Sequence, residues 1–309
     1  MDIITPKNAL FVKSSDQSFD AVLNGTLRIT HVGNTKLTCC CEYQDMIVCG
    51  GFTGELFFLR NMELEYIKPI SNSILRSIVP FQNKLLISSD GGELILFEGG
   101  SVIFVGISDS PVYKILPLNE KTFLSGERSG AINEWNYLSN RICFNRTIAN
   151  AEESIFALSS ISDEIIATGS KGKMYLIDTR TNRVFDKTIA PCNVFCLSEG
   201  LNSEVYFGLA NGNVLRKNND DIKIMEAHQD AVRDIAFSIN KRWMFSVSKD
   251  NSVRAWNNDV PHILSMGRDY LYQVVVGRNY IFYVDGHGDL GRIDFDGDID
   301  SAKEISIQE

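Results

Sequence analysis

AHQDAVRDIAFS (residues 227–238) is followed, after four residues, by WMFSVSKDNSVRAWN (residues 243–257). Apolar and polar residues alternate in both segments, which is the period of half-buried β-strands. Asn251 lies between two of these runs, and Asn accepts the positive φ that a tight hairpin turn requires. The stretch therefore predicts short antiparallel strands joined by a tight turn.

The same hairpin pattern recurs along the chain. The residues at the turn are Gly54, Gly92, Gly130, Gly172, Gly212, Asn251 and Gly288. Successive turns are 37 to 42 residues apart, with a mean of 39. Helical HEAT or armadillo repeats have a similar length, but the period-two pattern, rich in Val, Ile, Phe and Tyr, favours strands. Four short strands in each repeat are the organisation of a propeller blade.

The sixth repeat is also similar to a known family. Along its full length, residues 227–257 resemble a WD40 repeat, and the third repeat keeps Ser125 and Trp135 of the same pattern. The hydrogen-bonded His, Ser, Asp and Trp of that family correspond to His228, Ser246, Asp250 and Trp256. The resemblance implies an all-β fold, a seven-bladed WD40-like β-propeller, in which most blades lack this polar set.

Seven triplets of inner, middle and outer strands begin near residues 37, 74, 112, 154, 193, 231 and 271. The seventh triplet lacks a fourth strand, and the resemblance implies that an N-terminal strand supplies it and closes the ring, which removes open sheet edges. We predict a single domain, residues 1–309. It comprises an N-terminal extension (1–25), a ring-closing strand (26–33), seven repeats (34–297) and an acidic tail (298–309). An eight-bladed ring is the alternative, because Asn24-Gly25 is a second hairpin-like turn.

Composition narrows the class of protein. The 309 residues are 44 % hydrophobic, which excludes wholesale disorder. No apolar run approaches the roughly 18 residues of a membrane helix, and the first residues lack the order of a secretory signal. We therefore expect a protein that does not act at a membrane and is located in the cytoplasm, with the nucleus as the alternative. The net charge of −9 argues against nucleic acid as a direct general ligand.

Neither the cysteines nor the acidic C-terminal stretch indicates a cofactor or a metal. The seven Cys are an odd number without a CxxC pair, so we expect reduced, buried thiols rather than disulfides or a zinc site. Asp294 to Asp300 has alternating carboxylates, but Ile299 and Ile305 stand where a calcium-binding EF-hand loop needs Gly and Glu. A solvated segment that protects the sheet edge is expected there, and calcium binding is the alternative.

Catalytic motifs are missing from the sequence. Besides His228, the chain has only His31, His262 and His287, which fall on predicted strands or turns without a neighbouring Ser, Cys or carboxylate pattern. No phosphate-binding loop, HExxH or GxSxG occurs. The sequence therefore predicts a protein that is not an enzyme. A propeller enzyme or a metal-binding propeller with its site at the central channel is the alternative, because such sites are scattered along the sequence.

The candidate binding site emerges when the seven inner strands are overlaid. The residues that follow the first apolar residue of each strand are Thr38, Arg76, Tyr113, Phe156, Phe195, Arg233 and Tyr272. The resemblance implies that they surround the channel mouth, beside a second ring formed by Phe52, Asp90, Arg128, Ser170, Ala210, Lys249 and Gly286. Aromatic residues and Arg are enriched at binding hot spots. We predict that Arg76, Tyr113, Phe156, Phe195, Arg233, Tyr272, Phe52, Arg128 and Lys249 bind a partner.

These features predict a non-catalytic protein-interaction scaffold. A peptide or protein partner would bind at the channel mouth, with the aromatic residues as anchors and Arg76 and Arg233 pairing with acidic or modified side chains. Such a propeller would serve as a subunit or adaptor of a larger complex. Two alternatives are that the aromatic residues only fill the channel, or that the outer faces of the blades bind the partner.

Overall fold

The computed structural model of the chain describes residues 25–161, 164–178, 181, 183–219, 221–257, 259–295 and 299. Of the predicted N-terminal extension and acidic tail, only Gly25 and Ile299 belong to this described part. No helix in it is long and apolar enough to cross a membrane.

The described residues form 28 β-strands, arranged in seven antiparallel sheets of four. The closing strand is β1 (Gly25–His31). Blade 1 contains β2 (Leu37–Tyr43), β3 (Met46–Gly51), β4 (Glu55–Arg60) and β5 (Glu63–Pro69). Blade 2 contains β6 (Leu75–Phe81), β7 (Lys84–Ser89), β8 (Glu93–Glu98) and β9 (Ser101–Ile107). Blade 3 contains β10 (Val112–Pro117), β11 (Thr122–Glu127), β12 (Ala131–Leu138) and β13 (Arg141–Asn150).

The remaining four blades follow the same order. Blade 4 contains β14 (Ile155–Ile161), β15 (Glu164–Gly169), β16 (Lys173–Asp178) and β17 (Val184–Thr188). Blade 5 contains β18 (Val194–Glu199), β19 (Val205–Leu209), β20 (Asn213–Asn218) and β21 (Asp221–Glu226), with a 3₁₀ turn at Leu201–Ser203. Blade 6 contains β22 (Val232–Phe237), β23 (Met244–Ser248), β24 (Ser252–Asn257) and β25 (Val260–Met266). Blade 7 contains β26 (Leu271–Val276), β27 (Tyr280–Asp285), β28 (Asp289–Phe295) and the N-terminal strand β1.

The ring is closed. Each inner strand contacts the inner strand of the next blade, and β26 of blade 7 contacts β2 of blade 1. The outer edge of blade 7 is completed by β1, which pairs with β28 from Gly25↔Phe295 to His31↔Asp289. The predicted all-β, seven-bladed propeller is confirmed. The closing strand was predicted at residues 26–33 and is observed at Gly25–His31, so it starts one residue earlier and ends two residues earlier than predicted.

The hairpin turns have the predicted chemistry. All seven predicted turn residues, from Gly54 to Gly288, have φ between +67° and +93°. At Gly130 the Cβ of any other residue would overlap the backbone carbonyl of Ala151, so this turn tolerates only glycine without a shift of the backbone. In blade 6 Asn251 adopts the same conformation at φ 67°.

The hydrophobic core is divided among the blade interfaces. The described residues contain seven clusters of buried side chains, and each lies between two neighbouring blades. For example, Trp135 of blade 3 packs with Phe81 of blade 2, and Trp256 of blade 6 packs with Tyr206 of blade 5. Stability is therefore shared between neighbouring repeats, and the ring that the structure describes does not depend on one central core.

The seven cysteines are all free thiols. Cys39, Cys40, Cys41, Cys49 and Cys196 are buried, and burial raises the pKa of each. The expectation of buried thiols is wrong for Cys143, which is exposed on the outer strand β13, and Cys192 is half-buried. The buried thiols therefore act as small apolar side chains.

Candidate functional site

A β-bulge in each inner strand builds the candidate site. In all seven inner strands the pairing with the next strand shifts at the same place and leaves one residue unpaired. The unpaired residues are Thr38, Arg76, Tyr113, Phe156, Phe195, Arg233 and Tyr272. A bulge redirects a side chain relative to the regular pleat. The first predicted ring thus consists of the bulged residue of each blade.

A repeated backbone hydrogen bond fixes the second ring beside the first. In every blade the N–H of the second-ring residue donates to the carbonyl just before the inner strand. These bonds run from Phe52 to Lys36, Asp90 to Ile74, Arg128 to Pro111, Ser170 to Ser154, Ala210 to Asn193, Lys249 to Ala231 and Gly286 to Tyr270, at 2.8 to 3.1 Å. Because this bond involves only the backbone, it places any side chain at that position on the rim.

The bulged residues surround a cavity of about 330 Å³, and all seven line it. Six of them form a continuous arc of ring contacts. The Arg76 guanidinium lies 5.3 Å from the Tyr113 ring, which is followed by Phe156 at 5.6 Å and Phe195 at a further 5.3 Å. Arg233 then lies 4.4 Å from the ring of Phe195 and 5.6 Å from that of Tyr272. Each of these side chains is partly exposed.

The two arginines of the arc differ in their partners. Arg76 forms a bidentate ion pair with Asp90, with both N···O distances at 2.6 Å. The Nε of Arg233 is buried and has no hydrogen-bond partner among the described residues. Burial lowers the pKa of Arg233 below its ordinary value. Arg233, which lines the cavity, therefore has an unsatisfied buried donor, whereas the guanidinium of Arg76 is already paired with a carboxylate within blade 2.

Three further polar residues beside the arc were not predicted from the sequence. Lys114, Asp234 and Gln273 also line the cavity. Burial raises the pKa of Asp234 to about 6, although the charge of Lys114 opposes this shift. One oxygen of Asp234 accepts the N–H of Val274 at 3.1 Å, and the side-chain oxygen of Gln273 accepts that of Cys40 at 2.8 Å. These residues directly follow three bulged ones, so the same strand overlay contained the signal.

The second-ring side chains lie outside the cavity lining. Phe52 is 42 % exposed and Arg128 is exposed, while the Nζ of Lys249 lies 5.6 Å from the Tyr270 ring. This second ring therefore forms a more polar rim beside the aromatic arc, outside the cavity lining.

The structural set of blade 6 forms one chain of hydrogen bonds. The Nε1 of Trp256 donates to Ser246 Oγ at 2.8 Å, and Ser246 Oγ lies 2.8 Å from Nε2 of His228. Nδ1 of His228 lies 3.0 Å from a carboxylate oxygen of Asp250. With the proton of His228 on Nδ1, every donor in the chain has an acceptor. The chain ties β24 and β23 to the loop that enters blade 6.

A closed ring of four-stranded blades, one of them with this Trp–Ser–His–Asp chain, is typical of WD40-type β-propellers. Residues 219–257 match the family model described as WD domain, G-beta repeat. The match covers one repeat, so the chain is a seven-bladed β-propeller that contains a WD40 repeat at blade 6. No curated protein matches the sequence significantly. Among solved structures, the chain is similar to the β-propeller domain of Cps50 (Swd1) from Myceliophteria thermophila. The TM-score is 0.70 at 14 % identity, over 88 % of this chain and 99 % of that one.

Proposed function

We propose that this propeller is a non-catalytic interaction scaffold that binds a peptide or protein segment at its channel mouth. WD40 propellers are generally protein-interaction scaffolds. The proposal extends this general role to a subunit or adaptor of a larger complex, acting in the cytoplasm or the nucleus.

The observation that carries the proposal is the arc of contacting side chains around the cavity. Its members already pack against one another, so a ligand would meet a preorganised surface and order few additional side chains on binding. Aromatic rings provide large apolar area at a small entropic cost, which is why they serve as anchors at interfaces. Tyr113, Phe156, Phe195 and Tyr272 would supply this area in the complex.

Arg233 determines the chemistry of the proposed ligand. A buried N–H without an acceptor is costly, and a carboxylate or phosphate oxygen would form a charge-assisted hydrogen bond with this partly exposed guanidinium once its side chain turned toward the ligand. Because Asp90 already occupies the guanidinium of Arg76, that residue would contribute its stacked face to the site rather than a free charge. The favoured ligand is therefore a segment with an acidic or modified side chain next to an apolar one.

The cavity argues against aromatic side chains that only fill the channel. All seven bulged residues remain partly exposed around about 330 Å³ of open space. Exposed aromatic surface of this kind is typical of interaction sites. The second candidate function, an enzyme with its site in the channel, is favoured by Asp234, because burial raises its pKa to about 6 and the group lies in a cleft beside Lys114.

Capture of partners by the full chain, followed by mass spectrometry, would identify a ligand for binding measurements. We expect Phe195→Ala and Arg233→Ala each to weaken the affinity of that ligand by at least about 10-fold. Phe185→Ala is the matched control, because Phe185 is 60 % exposed on the outer strand β17.

Unchanged affinity in both channel-mouth variants would overturn the proposal. If Phe185→Ala then weakened binding, the outer faces would be the interaction surface instead. An enzymatic role would be indicated by turnover that Asp234→Asn abolishes.

A further inference from the structure

Two histidines and a buried aspartate meet where the ring closes. His31 is the last residue of β1 and pairs directly with Asp289, the first residue of β28. His287 lies in the turn between β27 and β28. One ligand atom from each of the three residues lies within 4.8 Å of the other two. The sequence around His31 shows no carboxylate pattern, but ring closure brings Asp289, 258 positions away, into contact with it.

The geometry of this cluster centres on the Asp289 carboxylate. The Nδ1 of His31 lies 2.7 Å from Asp289 Oδ1, and the Nδ1 of His287 lies 3.4 Å from Asp289 Oδ2. The two imidazole rings are 5.0 Å apart between centroids. Their side chains are 42 % and 45 % exposed, whereas the carboxylate is 3 % exposed. The imidazoles thus have room to rotate, whereas the Asp289 carboxylate beside them is buried.

A second feature of the same site is a buried carboxylate oxygen that lacks a hydrogen bond. Asp289 Oδ2 is buried and accepts no hydrogen bond within the described residues. A desolvated carboxylate oxygen is costly without a partner. A second buried carboxylate, Asp285, is close by, but it accepts backbone N–H groups of Arg268, His287 and Asp289 and so holds the turn together. The site thus combines two buried carboxyl groups, and one of their oxygens, Asp289 Oδ2, accepts no hydrogen bond from a described residue.

The donor set selects the class of ion. Two imidazole nitrogens and one carboxylate oxygen suit Zn²⁺ and similar first-row dications, whereas Ca²⁺ and Mg²⁺ prefer oxygen ligands alone. Bond lengths of about 2.0 to 2.2 Å place the ligand atoms of a tetrahedral ion about 3.4 Å apart. The ligand atoms lie within 4.8 Å of one another, so rotation of the exposed imidazoles would bring them to that spacing, and a water molecule would complete the coordination.

Arg268 is the competing cation. Its Nε lies 3.6 Å from Asp289 Oδ2, and its side chain is 48 % exposed. A metal ion at this oxygen would displace the guanidinium into solvent. The cluster is separate from the channel, because none of its three ligands is among the residues that line the cavity.

We propose that His31, His287 and Asp289 bind one Zn²⁺-class ion that fastens the closing strand β1 to the last hairpin of the ring. An ion that binds only the closed ring stabilises it, because metal binding adds to the free energy of folding. The ion would link β1 to β28 in blade 7, the blade in which the N-terminal strand pairs with the last described strand.

The test uses the full chain, stripped of metal with a chelator and titrated with Zn²⁺ against a chromogenic competitor. We expect one ion per chain and a higher Tm at saturation. His31→Ala and His287→Ala should each lower the affinity by at least about 10-fold, since even the loss of an outer-shell partner costs 10-fold to 100-fold. Arg268→Ala should raise the affinity, because it removes the competing charge. His262→Ala, which removes a histidine from β25, should leave the affinity unchanged.

Three results would overturn the proposal. One is a Zn²⁺ affinity weaker than about 1 mM. Another is equal affinity in the wild type and in a His31→Ala, His287→Ala double variant whose circular dichroism shows an intact fold, which would place the ion elsewhere on the chain. The third is displacement of Zn²⁺ by Ca²⁺ at equal concentration, which would exclude imidazole ligands.

Discussion

Blades 6 and 3 both contain a hydrogen bond from a tryptophan to a serine, but the serine has a different partner in each blade. Trp256 donates to Ser246 at 2.8 Å, and Trp135 donates to Ser125 at 2.9 Å. In blade 6 the serine continues to His228 and then to a carboxylate. In blade 3 the serine donates directly to Glu127 at 2.9 Å.

In blade 3 a single glutamate, Glu127, accepts the hydrogen bonds at the end of the chain. Glu127 Oε1 also accepts from Ser108 Oγ and from Asn133 Nδ2, each at 2.7 Å. Ser108 occupies the place of His228, because the N–H of each bonds to the carbonyl of the preceding turn glycine. In both blades the chain of hydrogen bonds that begins at the tryptophan therefore ends on a buried carboxylate, Asp250 in blade 6 and Glu127 in blade 3. The WD40 family model matches blade 6, which keeps the residue types of the family.

The largest effect is expected from Glu127→Ala in blade 3. The change leaves the side-chain donors of Ser108, Ser125 and Asn133 without an acceptor in a site where Glu127 is 2 % exposed. Each unpartnered buried donor costs about 1 to 3 kcal/mol. We expect the free energy of unfolding to fall by about 4 kcal/mol. Urea unfolding, followed by tryptophan fluorescence, measures this change.

Glu152→Ala is the matched control, because Glu152 is an exposed glutamate in the loop that follows blade 3. It should change the free energy of unfolding by less than about 0.5 kcal/mol. Equal effects of the two substitutions would show that the carboxylate of Glu127 does not end the donor chain.

Substitution of either tryptophan is expected to lower the free energy of unfolding by a smaller amount, similar in the two blades. Trp135→Phe and Trp256→Phe each remove one N–H···O bond and part of a ring that is buried against the preceding blade. Each should lower the free energy of unfolding by about 2 kcal/mol. Similar values from urea unfolding would confirm that the first bond is equivalent in both blades. If only Trp256→Phe lowered the free energy of unfolding, the hydrogen-bond chain would stabilise blade 6 but not blade 3.

The sequence predicted the features of this fold that depend on local chemistry. All seven turn residues were found because a tight hairpin demands positive φ, which Gly and Asn tolerate. The ring of bulged residues was also found, because each blade repeats the same register shift after the same apolar residue. The supply of the fourth strand of blade 7 by β1 followed from strand counting and from the resemblance.

The features that the sequence missed depend on rotamers and on ring closure. Arg76 and Asp90 were both placed on the rim, but their bidentate pair is set by side-chain orientation across two strands. His31 meets Asp289 only through the register of β1 on β28. Glu127 stands where blade 6 has Ser248, so neither composition nor motif marks it as the acceptor of the blade.

The smallest expected effect is a difference in how the stability of the two blades depends on pH. Of the two hydrogen-bond chains, the one in blade 6 contains a histidine. Burial lowers the pKa of His228 below its ordinary value, so the unfolded chain binds the proton more tightly than the folded one. The free energy of unfolding should therefore be highest above about pH 6.5 and fall as the pH drops below it. In His228→Gln, urea unfolding between pH 7 and pH 5 should show a shallower decline, while His262→Gln keeps the slope of the wild type. A slope that His228→Gln leaves unchanged would mean that the loss of stability at low pH arises outside blade 6.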